Sequence, residues 1–247
     1  MEHTTSEAAA QIPKNPKLWR IFLMLIVPTV LIFVLITIFV MISSAFGRSD
    51  GIDINTVIAK HIGYFFILNH SLAFCLLLWF LRQDGLRLSD IGFRLPDNGA
   101  KGMAVEIGLA ALSTFIVIGI ITSVVPLFEG VKVEDPGLLD ADRRLGNGFV
   151  LALFASVCVA SFVEESIFRG YGMTGLSRHW GLVIAVIITS VLFGVFHISY
   201  GVLGVFRTMF QGLVLALLFA RSRSLLGPIT AHSLTNLIGT LWNFEII

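Results

Sequence analysis

Repeated runs of apolar residues constrain this chain more than any other feature of its sequence. Such runs lie at residues 19–46, 62–81, 103–127, 148–170, 181–199, 203–220 and 226–244. A helix of about 20 apolar residues spans the hydrocarbon core of a bilayer. Hydrophobic residues make up 56% of the chain and charged residues 13%, about half the charged share of a soluble domain. The sequence therefore predicts an all-α, polytopic membrane bundle of about seven transmembrane helices, or eight if a re-entrant segment adds one.

The chain is predicted to form one membrane domain, residues 1–247, with a cytoplasmic N-terminal tail at 1–18. Eleven of its 17 lysine and arginine residues fall on the same side of the predicted bundle as that tail, and such residues are enriched in cytoplasmic segments. The tail lacks the apolar core and cleavage site of a secretory signal. No eukaryotic retention signal is seen, so we expect a multi-pass protein of the plasma membrane. A net charge of +1 without a basic tail gives no reason to expect a nucleic-acid partner.

The fourth apolar run carries three ionisable side chains, at Glu164, Glu165 and Arg169. Near the bilayer centre each ionised group costs at least ~2.5–3.5 kcal/mol, and such groups usually face the bundle interior. Glu165 and Arg169 are four residues apart, so they share a helix face and can pair. That pair could simply lock the helix to its neighbours. Glu164 points about 100° away around the helix, and this leftover carboxylate is a candidate general base.

Two further helices carry polar residues at helical spacing. Phe193 and His197 share one face of the fifth run, and His232 and Asn236 share one face of the seventh. If the fourth and fifth runs form a hairpin that turns near residues 177–181, Glu164 and His197 lie within about one helical turn of the same depth. His232 reaches that depth only if the fourth helix is tilted or its 170–180 region projects beyond the bilayer. The alternatives are a buried core histidine at 197 and an interhelical hydrogen-bond clamp at 232 and 236.

The remaining polar residues of the apolar runs form no group by spacing, and we assign them no catalytic role. They are Asn69, His70, Glu106, Arg207 and Gln211.

A carboxylate beside a neutral imidazole can deprotonate a water molecule held between them. A second histidine and an asparagine amide can donate hydrogen bonds to the oxyanion that forms when water attacks a carbonyl group. The same side chains, Glu164, His197 and His232, could instead bind a divalent metal such as zinc. The chain contains neither the HExxH motif of zinc proteases nor the GxSxG motif of serine hydrolases. Whether a metal cofactor is required is left open by the sequence.

Three motifs occur in order on successive predicted helices. "EESIFR" (164–169) matches EExxxR, "FGVFH" (193–197) contains FxxxH, and "HSLTN" (232–236) matches HxxxN. This ordered set resembles the CAAX-processing and bacteriocin-processing (Abi) intramembrane protease family. That family includes type II CAAX prenyl endopeptidases and lysostaphin resistance protein A-like proteins. The resemblance extends over residues 147–244, the predicted catalytic core.

The resemblance implies an intramembrane endopeptidase that hydrolyses a peptide bond near the cytoplasmic face. Family members are labelled metalloproteases, although a metal-free mechanism based on a glutamate also fits the motifs. In that mechanism the first glutamate activates water, the histidine of the second motif assists it, and the third motif stabilises the oxyanion. The implied catalytic residues are Glu164, His197, His232 and Asn236, supported by Glu165, Arg169 and Phe193.

Two functions of other classes remain as alternatives. A non-catalytic membrane scaffold or bacteriocin-immunity protein could bind a peptide without cutting it. A transporter could use Glu164, Arg169 and His197 as an ion relay, but the inverted repeats common in transporters are not seen. The expected partners are the lipid bilayer and a peptide or membrane-protein substrate, either prenylated or a bacteriocin or pheromone precursor.

Overall fold

The computed structural model describes residues 15–46, 54–124, 127 and 147–243. Within these ranges the chain is helical and contains no strand, which confirms the predicted all-α class. The rest of the predicted N-terminal tail, residues 1–14, and most of the loop before the fourth run lie outside the described residues. In the described part of the chain seven long helices follow the predicted runs: α1 (Leu18–Phe46), α2 (Ile54–Asp84), α3 (Gly99–Val124), α4 (147–180), α5 (Leu182–Val195), α6 (Gly201–Ser222) and α7 (Leu226–Asn243).

Five helices in the described ranges are long and apolar enough to cross a membrane, namely α1, α2, α3, α4 and α6. α5 is apolar but has only 14 residues, fewer than the ~20 of a full crossing. Large apolar side chains lie on the outer surface, for example Phe33, Phe115 and Val183, which are 54%, 70% and 71% exposed. Such a surface suits lipid rather than water. The chain is therefore a multi-pass membrane protein, and its helix number agrees with the prediction. In the described ranges five of the seven helices have the length and composition of a full crossing.

The α4 helix is longer and less regular than the sequence predicts. The fourth apolar run ends at residue 170, but the helix continues to Trp180. Two π-helical segments, Ala155–Ala160 and Ser166–Met173, flank a short α-helical segment, Ser161–Glu165. The chain then turns at Gly181, whose φ of 83° is a conformation that glycine adopts without strain. The hairpin between α4 and α5 thus turns where the spacing predicts.

The last part of α4 projects beyond the start of α7. Leu225, just before α7, donates its backbone N–H to the carbonyl oxygen of Gly92 at 2.9 Å. The neighbouring residue Ile91 packs against Gly170, where an added Cβ would lie 2.9 Å from the Ile91 carbonyl oxygen. The start of α7 is therefore level with Gly170, and α4 extends about 15 Å further to Trp180. The sequence required either a tilted fourth helix or a 170–180 region that projects beyond the bilayer. A projection past the start of α7 likewise brings the third motif closer in depth to the first.

A buried polar network joins α1, α2 and α4 beside this region. Asp84, at the end of α2, is 4% exposed and pairs with the guanidinium of Arg20. The hydroxyl of Tyr171, which is fully buried, donates to the other carboxylate oxygen of Asp84 at 2.7 Å. A buried carboxylate is tolerated only when it is paired and hydrogen-bonded. The network therefore holds α4 in register with the first two helices.

We expect Tyr171→Phe to destabilise the protein by about 1–3 kcal/mol, because it leaves one oxygen of a buried carboxylate without a donor. The measurement is the thermal unfolding midpoint in detergent. Tyr64→Phe is the matched control, because Tyr64 is 63% exposed on the outer surface of α2. Equal midpoints for the two variants would show that the network does not stabilise the fold.

Candidate active site

The pair formed by Glu165 and Arg169 is fully buried. Both side chains are 0% exposed, and Nη1 of Arg169 donates to Oε1 of Glu165 at 2.9 Å. Nη2 of Arg169 donates to the backbone carbonyl of Gly212 on α6, also at 2.9 Å. The guanidinium carbon lies 4.4 Å from the ring centroid of Phe193 on α5, which is within the range of a cation–π contact. Arg169 therefore links α4 to both α5 and α6.

Glu165 also binds the first residue of the third motif. Nδ1 of His232 lies 2.8 Å from Oε1 of Glu165, the same oxygen that accepts from Arg169. Because that oxygen accepts from a guanidinium, the imidazole contributes the proton at Nδ1. The other ring nitrogen, Nε2, then points toward Glu164 and lies 4.0 Å from its Oε2. Glu165 thus determines the orientation of His232.

Glu164 has a different environment from its neighbour. Its side chain is 15% exposed, and Oε1 lies 3.1 Å from Nε2 of His70 on α2. Oε2 is buried and makes no hydrogen bond within the described chain. A carboxylate oxygen in this state is available to a water molecule or to a substrate group. Each of the two adjacent glutamates has one oxygen without a hydrogen bond within the described chain. Glu165 is fully buried and binds two partners through its other oxygen, whereas Glu164 is 15% exposed and lies beside the histidines.

His197 lies just after the C-terminal end of α5 and is partly buried. Its Nδ1 lies 2.7 Å from the carbonyl oxygen of Phe193, one turn earlier. Because a carbonyl oxygen only accepts, Nδ1 carries a proton and Nε2 of the neutral ring presents a lone pair. His197 interacts electrostatically with Glu164 and His232. The Phe193 ring lies between the two histidines, with centroids 4.9 Å from His197 and 5.6 Å from His232.

Asn236 is bound to the backbone of α4. Its amide nitrogen donates to the carbonyl oxygen of Ser156 at 3.0 Å and to Oγ of Ser161 at 3.2 Å. Ser233, also on α7, donates to the carbonyl oxygen of Val157 at 2.8 Å. Two of these three acceptors belong to the first π-helical segment of α4. The wider turn of that segment thus offers backbone oxygens to α7, an arrangement in which Asn236 holds the two helices together.

The irregular geometry and close packing of α4 explain how this helix can carry three ionisable side chains. The two π-helical segments lie directly before and after Ser161–Glu165, the segment that holds both glutamates. π-helical turns inside α-helices are uncommon and occur frequently at functional sites. Glycine at 170 and 172 lets other chain segments approach the helix closely, with Ile91 at the first and Leu25 at the second. The charged part of α4 is consequently enclosed by protein on nearly every side.

The residues present do not form a metal site in this arrangement. Among the residues that the structure describes, no three His, Cys, Asp or Glu side chains are placed to hold one metal ion. The zinc set considered from the sequence, Glu164, His197 and His232, is therefore not assembled, and we derive no chemical step through a metal.

The structure brings the predicted site residues together and adds two that the sequence did not indicate. Glu164, His197 and His232 form one cluster, with Glu165, Arg169 and Phe193 packed behind it, while Asn236 lies on the side of the first π-helical segment. The additions are His70, which contacts Glu164, and Gly212, which accepts from Arg169. The only sequence signal for His70 was a polar residue in an apolar run. The sequence contained no signal for Gly212, because its role depends on a backbone oxygen.

Comparison with protein families supports the resemblance seen in the motifs. Residues 146–238 match the family model described as type II CAAX prenyl endopeptidase Rce1-like. The predicted resemblance is confirmed over this segment. The match contains all three motifs, and its bounds agree closely with the predicted core at 147–244. Comparisons with curated proteins and with solved structures give no match.

We expect Arg169→Lys to lower the free energy of unfolding by about 2–4 kcal/mol, because a lysine amine cannot serve Glu165, the Gly212 carbonyl and the Phe193 ring in the same geometry. Denaturant or thermal unfolding in detergent measures the change. Arg178→Lys, at an exposed position on the same helix, is the control and should leave stability within about 0.5 kcal/mol. If both variants unfold alike, the buried pair does not organise the site.

Proposed function

We propose that this protein is an intramembrane endopeptidase of the type II CAAX prenyl endopeptidase kind, with Glu164 as the general base. The observation that carries the proposal is the state of Glu164. Its Oε2 makes no hydrogen bond within the described chain and lies 4.0 Å from Nε2 of His232, on a side chain that is 15% exposed. Oε2 of Glu165 also lacks a partner, but that side chain is fully buried. A base must have a free acceptor within reach of the proton that it removes. The family match adds a peptide substrate and a membrane setting to this chemistry.

In the proposed reaction a water molecule is held by Oε2 of Glu164 and Nε2 of His197. Both atoms are acceptors, so each takes one hydrogen of the water and directs the oxygen lone pair toward the scissile carbonyl. Glu164 removes one proton as the water oxygen bonds to the carbonyl carbon. The same proton then passes to the amide nitrogen as the carbon–nitrogen bond breaks. The products are a carboxylic acid and an amine, and Glu164 returns to its starting state.

The oxyanion of the intermediate needs a hydrogen-bond donor. His232 meets this need through Nε2 when its ring is protonated, since Nδ1 already donates to Glu165. The Glu165 carboxylate lies 2.8 Å from Nδ1 of His232, and Arg169 holds that carboxylate in place through a 2.9 Å hydrogen bond. Glu165 and Arg169 thereby act on the reaction through His232.

The substrate class that fits best is a peptide or membrane-protein segment that approaches within the bilayer. A prenylated C-terminal CAAX segment and a bacteriocin or pheromone precursor both have this property. We place the reaction near the cytoplasmic face of the plasma membrane, because the start of α7 and the loop before α3 lie on the side to which the lysine and arginine distribution assigns the cytoplasm. A peptide-binding immunity or scaffold protein is the main alternative, and a transporter is the weaker one.

Glu164→Gln is expected to reduce cleavage by at least about a hundredfold, because glutamine keeps the size of the side chain but cannot accept the proton. The assay uses the purified protein in lipid nanodiscs with a quenched fluorogenic peptide that ends in a farnesylated CAAX sequence. Mass spectrometry identifies the cut. The same peptide without the farnesyl group tests whether the lipid is recognised.

Arg178→Lys is the control variant for this assay, because it changes an exposed side chain near the far end of the same helix. Equal cleavage by the wild type and Glu164→Gln would refute the proposed base. A wild type that binds the peptide but never cuts it would favour the immunity or scaffold alternative. Addition of a chelator should leave the rate unchanged, and loss of activity that zinc restores would show a metal-dependent reaction.

Asn236→Ala separates two roles of the third motif. If Asn236 joins α7 to α4, the variant unfolds at a lower temperature, because the lost amide hydrogen bonds lower the free energy of unfolding by about 1–3 kcal/mol. In that case kcat falls only through displacement of the other site residues. If Asn236 donates to the oxyanion as the motif implies, kcat falls about 10²–10³-fold at unchanged stability. The hydrogen bonds to Ser156 and Ser161 favour the first result. Parallel unfolding and cleavage measurements on one preparation decide between the two.

A further inference from the structure

His70 is a buried histidine that none of the three motifs includes. It lies on α2, outside the matched segment 146–238. The residue is 2% exposed, although a histidine in an apolar helix gains nothing from burial unless it is hydrogen-bonded. Its Nε2 lies 3.1 Å from Oε1 of Glu164, which is 94 residues later in the chain. The site is therefore completed by a helix from the first half of the protein.

The histidine ring is held rigidly. Its Nδ1 lies 2.7 Å from the carbonyl oxygen of Phe66, one turn earlier on the same helix. The ring also stacks on Phe66, with centroids 5.7 Å apart and planes inclined by 11°. A carbonyl oxygen only accepts, so Nδ1 carries a proton. Because Glu164 is a carboxylate in the proposed reaction and only accepts, the hydrogen bond to its Oε1 is donated by a second ring proton, on Nε2.

We propose that His70 is a positioning residue for Glu164. The terminal torsion of a glutamate side chain is broad and roughly two-fold, so an unrestrained carboxylate would exchange its two oxygens and swing away from the water. The hydrogen bond from α2 fixes Oε1 and leaves Oε2 on the side of His232. Within the described chain neither His197, just after α5, nor His232, on α7, makes a hydrogen bond to Oε1 of Glu164. The inference rests on the proposed function, because it concerns the base of that reaction.

The test compares two substitutions at position 70 in the farnesylated-peptide assay. His70→Phe keeps the aromatic ring and its stacking on Phe66 but removes Nε2. We expect kcat to fall about ten- to a hundredfold, as for the loss of a hydrogen bond to a charged group, with KM changed less than twofold. His70→Gln places an amide nitrogen near the position of Nε2 and should recover most of the lost kcat. His61→Phe is the matched control, since it makes the same exchange nine residues earlier on α2.

If His70 had only a structural role, His70→Phe would lower stability, but kcat would not fall at a nearly constant KM and His70→Gln would not recover it. Wild-type kcat in His70→Phe would overturn the proposal, and so would equal losses in the phenylalanine and glutamine variants.

A second measurement does not depend on cleavage. Unfolding midpoints of His70→Phe, Glu164→Ala and the double variant form a double-mutant cycle. We expect the double variant to lose clearly less than the sum of the two single losses. Strict additivity would show that the two side chains do not interact and would overturn the positioning role, whatever the activity. If the cycle shows coupling while the wild type cuts no peptide, the proposed function fails and the contact between the two residues stands.

Discussion

The buried ion pair between Glu165 and Arg169 is the interaction on which the rest of the site depends. A charge at this depth is tolerated only if it is paired and hydrogen-bonded, and Arg169 makes contacts with three elements at once. It binds Glu165 within α4, the Gly212 carbonyl on α6 and the face of Phe193 on α5. Glu165 adds α7 through His232. Four helices are therefore brought to one point by a single pair of opposite charges, and any rearrangement of one helix would expose an unpaired charge to an apolar interior.

Adjacent positions in a helix give the two glutamates different environments. Glu165 points into the protein, where one oxygen receives both a guanidinium and an imidazole. Glu164 points about 100° away, toward α2 and toward a region that is not fully closed, and its side chain is 15% exposed where that of Glu165 is fully buried. The first carboxylate is suited to holding other groups in place and the second to accepting a proton. In the proposed reaction the doubled glutamate of the motif thus supplies a positioning group and a base in two consecutive residues.

The π-helical segments of α4 connect this electrostatic arrangement to the packing of α7. They interrupt the helix on either side of the glutamates, and carbonyl oxygens of the first segment accept hydrogen bonds from Asn236 and Ser233. In lipid, a backbone oxygen without a partner is costly, so an irregular helix is stable only where a neighbouring helix supplies donors. α7 supplies them, and in the same contact it brings His232 to Glu165. The irregularity of one helix and the polar face of the next therefore stabilise each other.

The amino-acid sequence by itself determined the membrane class, the helix number, the pairing of Glu165 with Arg169 and the ordered motifs that identify the core, because all of these are periodic or local properties of the chain. Tertiary structure decided which polar residues meet. His70 and Gly212 were invisible to spacing, since helical periodicity reports only neighbours on the same helix, and their partners lie 94 and 43 residues away. The same limit applies to the position of a residue along the bundle axis. His232 reaches Glu164 because α4 projects past the start of α7, which lies level with Gly170. Contacts between helices, and not residue count, set that relative position.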